Sequence, residues 1–281
     1  VHGLISPWQV IMLRFMIGSH TRIIVQHHAE RPFRDFRKYI QQWADRYISV
    51  YLFASKDLGA MWTDKNQIHA IKVKEVMEGS STFHPIDRLH AREFTGVKGE
   101  KMFLWVGDLT VNKDPLLAAR AFARLLKIFP DASLYMIYQE IFLEADLKQL
   151  VQTLGNQNVH LVGKVKHDEL LYWYNSADYI VSTSHYEGSG IAVCEAMSCG
   201  CTPVLSNIPS FRMMTDNGQC GLLFECGNED DLVNKLHLSL QLPLEVQREK
   251  VLTKFKNDLS FEAIARRMVE VANQIINNGS L

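Results

Sequence analysis

The sequence predicts an α/β protein whose strands and helices alternate to give parallel sheets wound on both faces. Three observations predict it. Short β-branched and aromatic runs recur between amphipathic stretches, the pattern of repeated strand–helix units. A polar, charged stretch at residues 86–100 divides the alternation in two. Residues 179–200 read as buried strand, glycine-bearing loop and helix, the kind of connection at which open α/β sheets gather ligands.

Taken in order, Ser6-Pro7 offers an N-cap and a first-turn proline to a helix over residues 6–17. Residues 21–26 form a β-branched strand running into His27-His28, which delivers histidines to its carboxyl end. A helix over 35–47, a strand over 50–55, a helix over 56–62 and a short strand over 73–77 follow, then a turn-rich loop over 78–85. Residues 86–100 read as the linker.

Beyond it the pattern restarts with a strand over 102–107. Asp114 and Pro115 then open a helix to 129, with Leu117, Ala121, Phe122 and Leu125 as its apolar stripe. Strands are expected at 134–138, 159–162, 179–184, 202–206 and 221–224. Helices are expected at 142–154, stopped by Gly155, and at 168–176, 229–240, 244–257 and 261–277. Tyr172, Trp173 and Tyr174 read as core or surface aromatics, with lining of a base site as the other reading.

Composition narrows the function. The chain carries 30 Lys+Arg against 31 Asp+Glu, which argues against a nucleic-acid binder, whose footprint is strongly basic. Five cysteines, an odd number confined to residues 194–226, suit small core residues of a reduced, cytoplasmic protein. Cys199 and Cys201 have no spaced Cys/His partner pair, so packing explains them better than a metal. The apolar run 8–17 is broken by Arg14 and is too short to span a bilayer, although a peripheral membrane contact is compatible with it. The chain opens on Val1, as a segment lacking its true beginning would, and carries no secretory signal.

The chemistry concentrates at residues 185–200. Glu187 falls in the loop and Glu195 inside the helix, about a turn and a half past Gly190. The first N–H groups of such a helix lack internal partners, and its dipole favours an anion there. Gly188 and Gly190 present no Cβ to an approaching phosphate. Carboxylates on either side could accept hydroxyl protons from a sugar or ribose, so the set suggests a nucleotide-sugar diphosphate. A glycine-rich βα turn is also often only a tight connection, and both readings stand on the residues alone.

The run from Ile180 to Val204, with Glu187-Gly-Ser-Gly190, Glu195-Ala-Met-Ser-Cys-Gly200 and Pro203-Val204, resembles the donor-site signature of family-four retaining glycosyltransferases of the GT-B fold. Val106-Gly-Asp-Leu109 with Lys113, Leu161–Val165 and Gly221–Phe224 extend the likeness over about residues 100–258. The resemblance implies two Rossmann-like domains with parallel sheets, the first one incomplete. Residues 1–95 would be a partial acceptor-side domain, 96–258 the nucleotide-sugar donor domain, and 259–281 a terminal helix crossing back toward the first.

It also implies roles. Glu195 would hold the ribose hydroxyls, and Glu187 would face the donor hexose as its bond to phosphate breaks. Main chain around Gly188, Ser189, Gly190 and Ile191 would bind the diphosphate. Lys113 would neutralise the leaving group without a metal, Val165 would meet the base through its backbone, and His28 would sit over the donor sugar. Strand alternation admits only one of His27 and His28 to the site, and His27 stays open as the other choice. No cofactor is implied: the donor, a UDP- or GDP-sugar, is a substrate. The acceptor would be a glycan, a lipid-linked sugar or a small molecule, as in cell-envelope polysaccharide synthesis, in the cytoplasm or at the inner face of the membrane.

Three positions depart from the family's pattern. Asp108 stands where an Arg is usual, Tyr138-Gln-Glu140 replaces a loop that is often Gly-x-Gly, and Ser189 replaces a Phe. Two alternatives therefore stay open: a nucleotide-sugar epimerase or phosphorylase-like enzyme of the same fold, and a non-catalytic nucleotide-sugar-binding protein.

Overall fold

A computed structural model describes residues 1–4, 6–139, 141–155 and 158–277. Glu140 and the last four residues of the expected terminal segment lie outside the described residues. The chain divides into two compact units: unit 1 comprises Val1–Ser80, Glu187–Ser189 and Leu259–Leu281, and unit 2 comprises Ser81–Tyr186 and Gly190–Asp258.

Unit 1 begins with helix α1 (Pro7–Ile17), then strand β1 (Ile24–Gln26), α2 (Arg37–Asp45), β2 (Val50–Phe53), α3 (Lys56–Thr63) and β3 (Val73–Glu75). The three strands are parallel, in the order β1-β2-β3. Val25, Val50, Leu52, Phe53 and Trp62 are buried around them. Ser55 caps α3 by accepting from Leu58 N at 3.2 Å. Ser6, expected to cap α1, makes no side-chain cap bond, and Pro7 alone marks that start.

Unit 2 follows with α4 (Arg88–Thr95), β4 (Lys101–Val106), α5 (Pro115–Leu125), β5 (Ala132–Ile137), α6 (Glu144–Leu154), β6 (Val159–Gly163), α7 (Leu170–Ser176) and β7 (Tyr179–Ser182). It continues through α8 (Ile191–Ser198), β8 (Thr202–Ser206), α9 (Pro209–Met214), β9 (Leu222–Phe224), α10 (Glu229–Gln241) and α11 (Leu244–Lys254). The final helix, α12 (Phe261–Asn277), groups with unit 1. The six strands are parallel in the order β6-β5-β4-β7-β8-β9. Phe103, Trp105, Leu117, Phe122, Leu134, Tyr179 and Val181 fill the core between sheet and helices.

Three expectations need correcting. Residues 86–100 are not a bare linker, because they contain α4, capped by Asp87 Oδ1 on His90 N at 2.8 Å and ended by Gly96 at φ +67°. Arg88 and Arg92, one turn apart, both reach the buried carboxylate of Asp178, and Phe94 stacks on Tyr172 at 4.0 Å. The polar composition docks this helix. In addition, α9 was not foreseen, since six residues give too short a periodic signal. The expected α5 runs too long: after Leu125 the bonds tighten, Lys127 N reaching Arg124 O and Ile128 N reaching Leu125 O. The five cysteines form no disulfide, four being buried and Cys226 half-buried. Burial pushes the Cys199 thiol up to about 12 and that of Cys220 up to about 11.

Candidate functional site

Counted from β4, the unit 2 sheet has the order 3-2-1-4-5-6. Chain direction across the sheet therefore reverses between β4 and β7, and at such a switch point the connections leave the strand ends to opposite faces and open a crevice. The two connections concerned carry most of the expected donor residues. The loop after β4 holds Asp108 and Lys113, and the connection after β7 leads into α8.

Thr183, just past β7, fixes the first loop. Its hydroxyl shares its proton between the carbonyls of Lys113 at 2.7 Å and Asp114 at 2.8 Å, and it accepts from Trp105 Nε1 at 3.2 Å. Further along, His185 N donates to Asn112 O at 2.8 Å and Asn112 Nδ2 to Tyr186 O at 2.9 Å. Lys113, half-buried, thus rises from a backbone stapled on both sides. Asp108 is half-buried, and its carbonyl accepts from Thr110 N at 2.8 Å. The guanidinium of Arg212 donates to Asn207 Oδ1 at 3.2 Å.

Helix α8 starts at Gly190, which has φ +65° and supplies no side-chain cap; the first N–H groups of a helix have no i−4 partner within it. A Cβ on Gly190 would stand 2.7 Å from Phe211 Cε1. Glu195 is buried, 7% exposed, with both oxygens engaged. His167 Nε2 lies 2.9 Å from Oε1, and Tyr174 Oη donates to Oε2 at 2.9 Å. Burial, then the charge of Glu195, raises the Tyr174 hydroxyl well above its usual range, so it stays a donor. Each carboxylate oxygen keeps a further lone pair for a hydroxyl. The contact also draws the segment after β6, where Val165 sits half-buried, alongside α8. Phe83 lies over His167, ring centroids 5.1 Å apart.

In unit 1 the two histidines part company. His27 is 1% exposed, stacks on Phe53 at 4.5 Å, and its Nε2 lies 2.8 Å from Glu30 O. Desolvation lowers its pKa. His28 points outward, its side chain 44% exposed, and its Nδ1 is hydrogen-bonded to Glu78. Its backbone N donates to Glu30 Oε2 at 2.9 Å. Of the pair, His28 is the accessible one.

The segment Glu187–Ser189 belongs to the same unit. Ser189 Oγ donates to Glu78 Oε1 at 2.5 Å, so the serine standing where a Phe is usual has a specific partner. A Cβ on Gly188 would fall 1.9 Å from the carbonyl oxygen of His28. Gly188 is therefore required by the chain's own packing, whatever ligand comes near. Glu187 is half-buried and Ile191 40% exposed.

Sequence reasoning missed four residues that position these groups: Thr183, His167, Tyr174 and Glu78. Tyr174 had been read mainly as a packing aromatic. Glu78 follows a short strand at its carboxyl end, which is the signal that could have found it.

Comparison with known proteins bears on the same residues. Residues 87–256 match the family described as "Glycosyl transferases group 1". A GDP-mannose:cellobiosyl-diphosphopolyprenol alpha-mannosyltransferase from Xanthomonas campestris is 34% identical over 122 residues, 42% of this chain and 32% of that protein. A UDP-Gal:alpha-D-GlcNAc-diphosphoundecaprenol alpha-1,3-galactosyltransferase from Escherichia coli is 31% identical over 144 residues, 48% of this chain and 35% of that one. The matched segments thus span about a third of these relatives. Among solved structures, sucrose-phosphate synthase from Thermosynechococcus elongatus superposes with TM-score 0.80 at 20% identity, covering 99% of this chain and 73% of that one. Anabaena HepE in complex with UDP gives TM-score 0.82 at 16% identity, covering 97% and 78%. The fold is the α/β, two-sheet GT-B class.

Proposed function

The chain belongs to the group 1 glycosyltransferases, and from that premise we propose that it moves a hexosyl group from a nucleotide-diphosphate sugar to an acceptor hydroxyl, with retention and without a metal. The observation that carries this is the switch point between β4 and β7, where the loop bearing Lys113 and the connection into α8 both leave the sheet. Breaking an anomeric bond to a diphosphate builds negative charge on the leaving oxygen. A lysine and a helix amino end aimed at that charge stabilise the transition state more than the ground state.

In this reading the main chain at Gly188, Ser189, Gly190 and Ile191 receives the diphosphate and Lys113 balances its charge. Glu195, preset by His167 and Tyr174, accepts from the ribose, and Val165 meets the base. Glu187 and His28 act at the sugar. The donor is a UDP- or GDP-sugar; named relatives use GDP-mannose and UDP-galactose, which supports both bases.

The acceptor class is a glycan, a lipid-linked sugar or a small molecule. Relatives acting on polyprenol-linked diphosphates favour the lipid-linked form at the inner face of a membrane. No helix among the described residues is long and apolar enough to cross a membrane. α1 exposes Trp8, Met12, Phe15 and Met16, which supports peripheral contact.

The test is a screen of nucleotide sugars for turnover, with Glu187→Ala beside the parent. Donor consumption that needs an acceptor, and that falls at least a hundredfold in the variant, upholds the proposal. Altered donor released without acceptor points to an epimerase instead. Binding with no turnover of any donor sinks the enzyme reading.

A further inference from the structure

Three side chains from three strand-end loops of unit 2 line up in a row that the transfer reaction does not use. Asp114 precedes α5, His185 follows β7 and Cys226 follows β9. Asp114 Oδ2 lies 3.1 Å from His185 Nε2, and Cys226 Sγ lies 3.2 Å from His185 Nδ1. The protons in this row follow from donor and acceptor chemistry. A carboxylate only accepts, so Nε2 carries the imidazole proton. In that tautomer Nδ1 is an acceptor, and the Cys226 thiol donates to it.

The carboxylate is itself held. Asp114 Oδ1 accepts from Leu117 N at 3.2 Å as the cap of α5, leaving Oδ2 to the imidazole, and the residue takes a left-handed φ of +45°. His185 is fixed through its backbone N on Asn112 O, and its side chain is 42% exposed. Cys226 is half-buried, whereas Cys194, Cys199, Cys201 and Cys220 are 5% exposed or less. Nucleophile, base and orienting carboxylate in hydrogen-bonded sequence form the arrangement that activates thiols and hydroxyls elsewhere.

We infer that Asp114, His185 and Cys226 make Cys226 a nucleophilic thiol, a site of reversible exchange with small disulfides. Nδ1 of His185 takes the thiol proton as sulfur attacks one sulfur of the incoming R–S–S–R. The S–S bond breaks, the Cys226–S–S–R bond forms, and the departing R–S⁻ takes the proton back from His185 as R–SH. Asp114 steadies the imidazolium in between. Burial, then the charge of Asp114, pushes the Cys226 thiol up, so the resting group is the protonated thiol and depends on the base.

Oxidised glutathione is the probe, applied to the whole chain at neutral pH, with peptide mass spectrometry following each cysteine. Cys226 is expected to form the mixed disulfide first. His185→Ala and His185→Gln are expected to slow it about a hundredfold, the lower end of a general base's contribution. Asp114→Asn, which keeps a capping side chain, should slow it less. Exposure alone predicts the opposite sign, because removing the imidazole uncovers the sulfur. An unchanged or faster rate in both His185 variants, with melting curves like the parent's, overturns the inference. So does first reaction at any other cysteine.

Discussion

At the carboxyl edge of the unit 2 sheet the polar groups are held by secondary structure and a packed core, whereas at the carboxyl edge of the unit 1 sheet they are side chains held by one another. In unit 2 the amino end of α8 and the stapled Lys113 loop stand on strand ends packed over a full core, and Glu195 is buried with both oxygens engaged. In unit 1 the half-exposed His28 leans on Glu78, which also takes the hydroxyl of Ser189, and Glu30 holds the His28 backbone. The first edge is preorganised by secondary structure, as a site for a fixed charge requires. The second is built from hydrogen bonds between loops, whose geometry is easier to shift.

The sharpest way to break that contrast is at the two glycines of the Glu187–Gly190 loop, one in each unit. Gly188→Ala puts a methyl 1.9 Å from a backbone carbonyl that cannot rotate away. A cost of about 3 kcal/mol is expected, the upper end for overpacking, together with loss of transfer. Gly190→Ala meets a left-handed φ and the movable ring of Phe211, for about 1–3 kcal/mol. Urea unfolding of both variants measures the gap. Equal stabilities would mean that the approach of Gly188 to His28 is not a packing requirement.

The unevenness also governs what the sequence made legible. The strands and helices of both units were readable to within a few residues, as was the strand–loop–helix around Gly190, apart from α4 and the six-residue α9 of unit 2. Residues 86–100 were misread because Arg88 and Arg92 bind a carboxylate of residue 178, a partner no local pattern reveals. Alternation required His27 and His28 to face opposite ways. Which one turned inward depended on pairing with β2, where His27 N donates to Leu52 O at 2.9 Å. Glu78 offered only its place after a short strand, because its partners lie 50 and 111 positions away along the chain.

A smaller effect tests whether Glu195 is preset. Tyr174→Phe removes one donor from a buried carboxylate and keeps the ring. Hydrogen bonds to charged groups contribute about 1.5–3 kcal/mol, so a stability loss of about 2 kcal/mol is expected. Because Glu195 would then be free to turn, affinity for nucleoside diphosphates measured by calorimetry should fall as well. A variant with parental stability and affinity would leave Tyr174 as packing alone.

The smallest effect is a slope, and it separates the two units by pH. His27 is buried, with its Nδ1 lacking a hydrogen-bond partner among the described residues, and desolvation holds its pKa below the ordinary 6.5. The unfolded chain, with an ordinary imidazole, therefore binds more protons as pH falls. The stability contributed by neutral His27 is fully present above about pH 6.5 and is lost as pH drops toward the lower native value. The carbonyl and carboxylate of Glu30 oppose the shift without reversing it. His160 in unit 2, stacked on Tyr135 at 4.4 Å and also lowered by burial, acts in the same direction. One proton gives at most ~1.4 kcal/mol per pH unit. His27→Gln should flatten the acid limb of a stability–pH curve between pH 7 and 5, and His160→Gln should flatten it less because that ring is more exposed. If His160→Gln flattens it more, the acid weak point lies in unit 2, and the loop-built edge of unit 1 is the sturdier of the two.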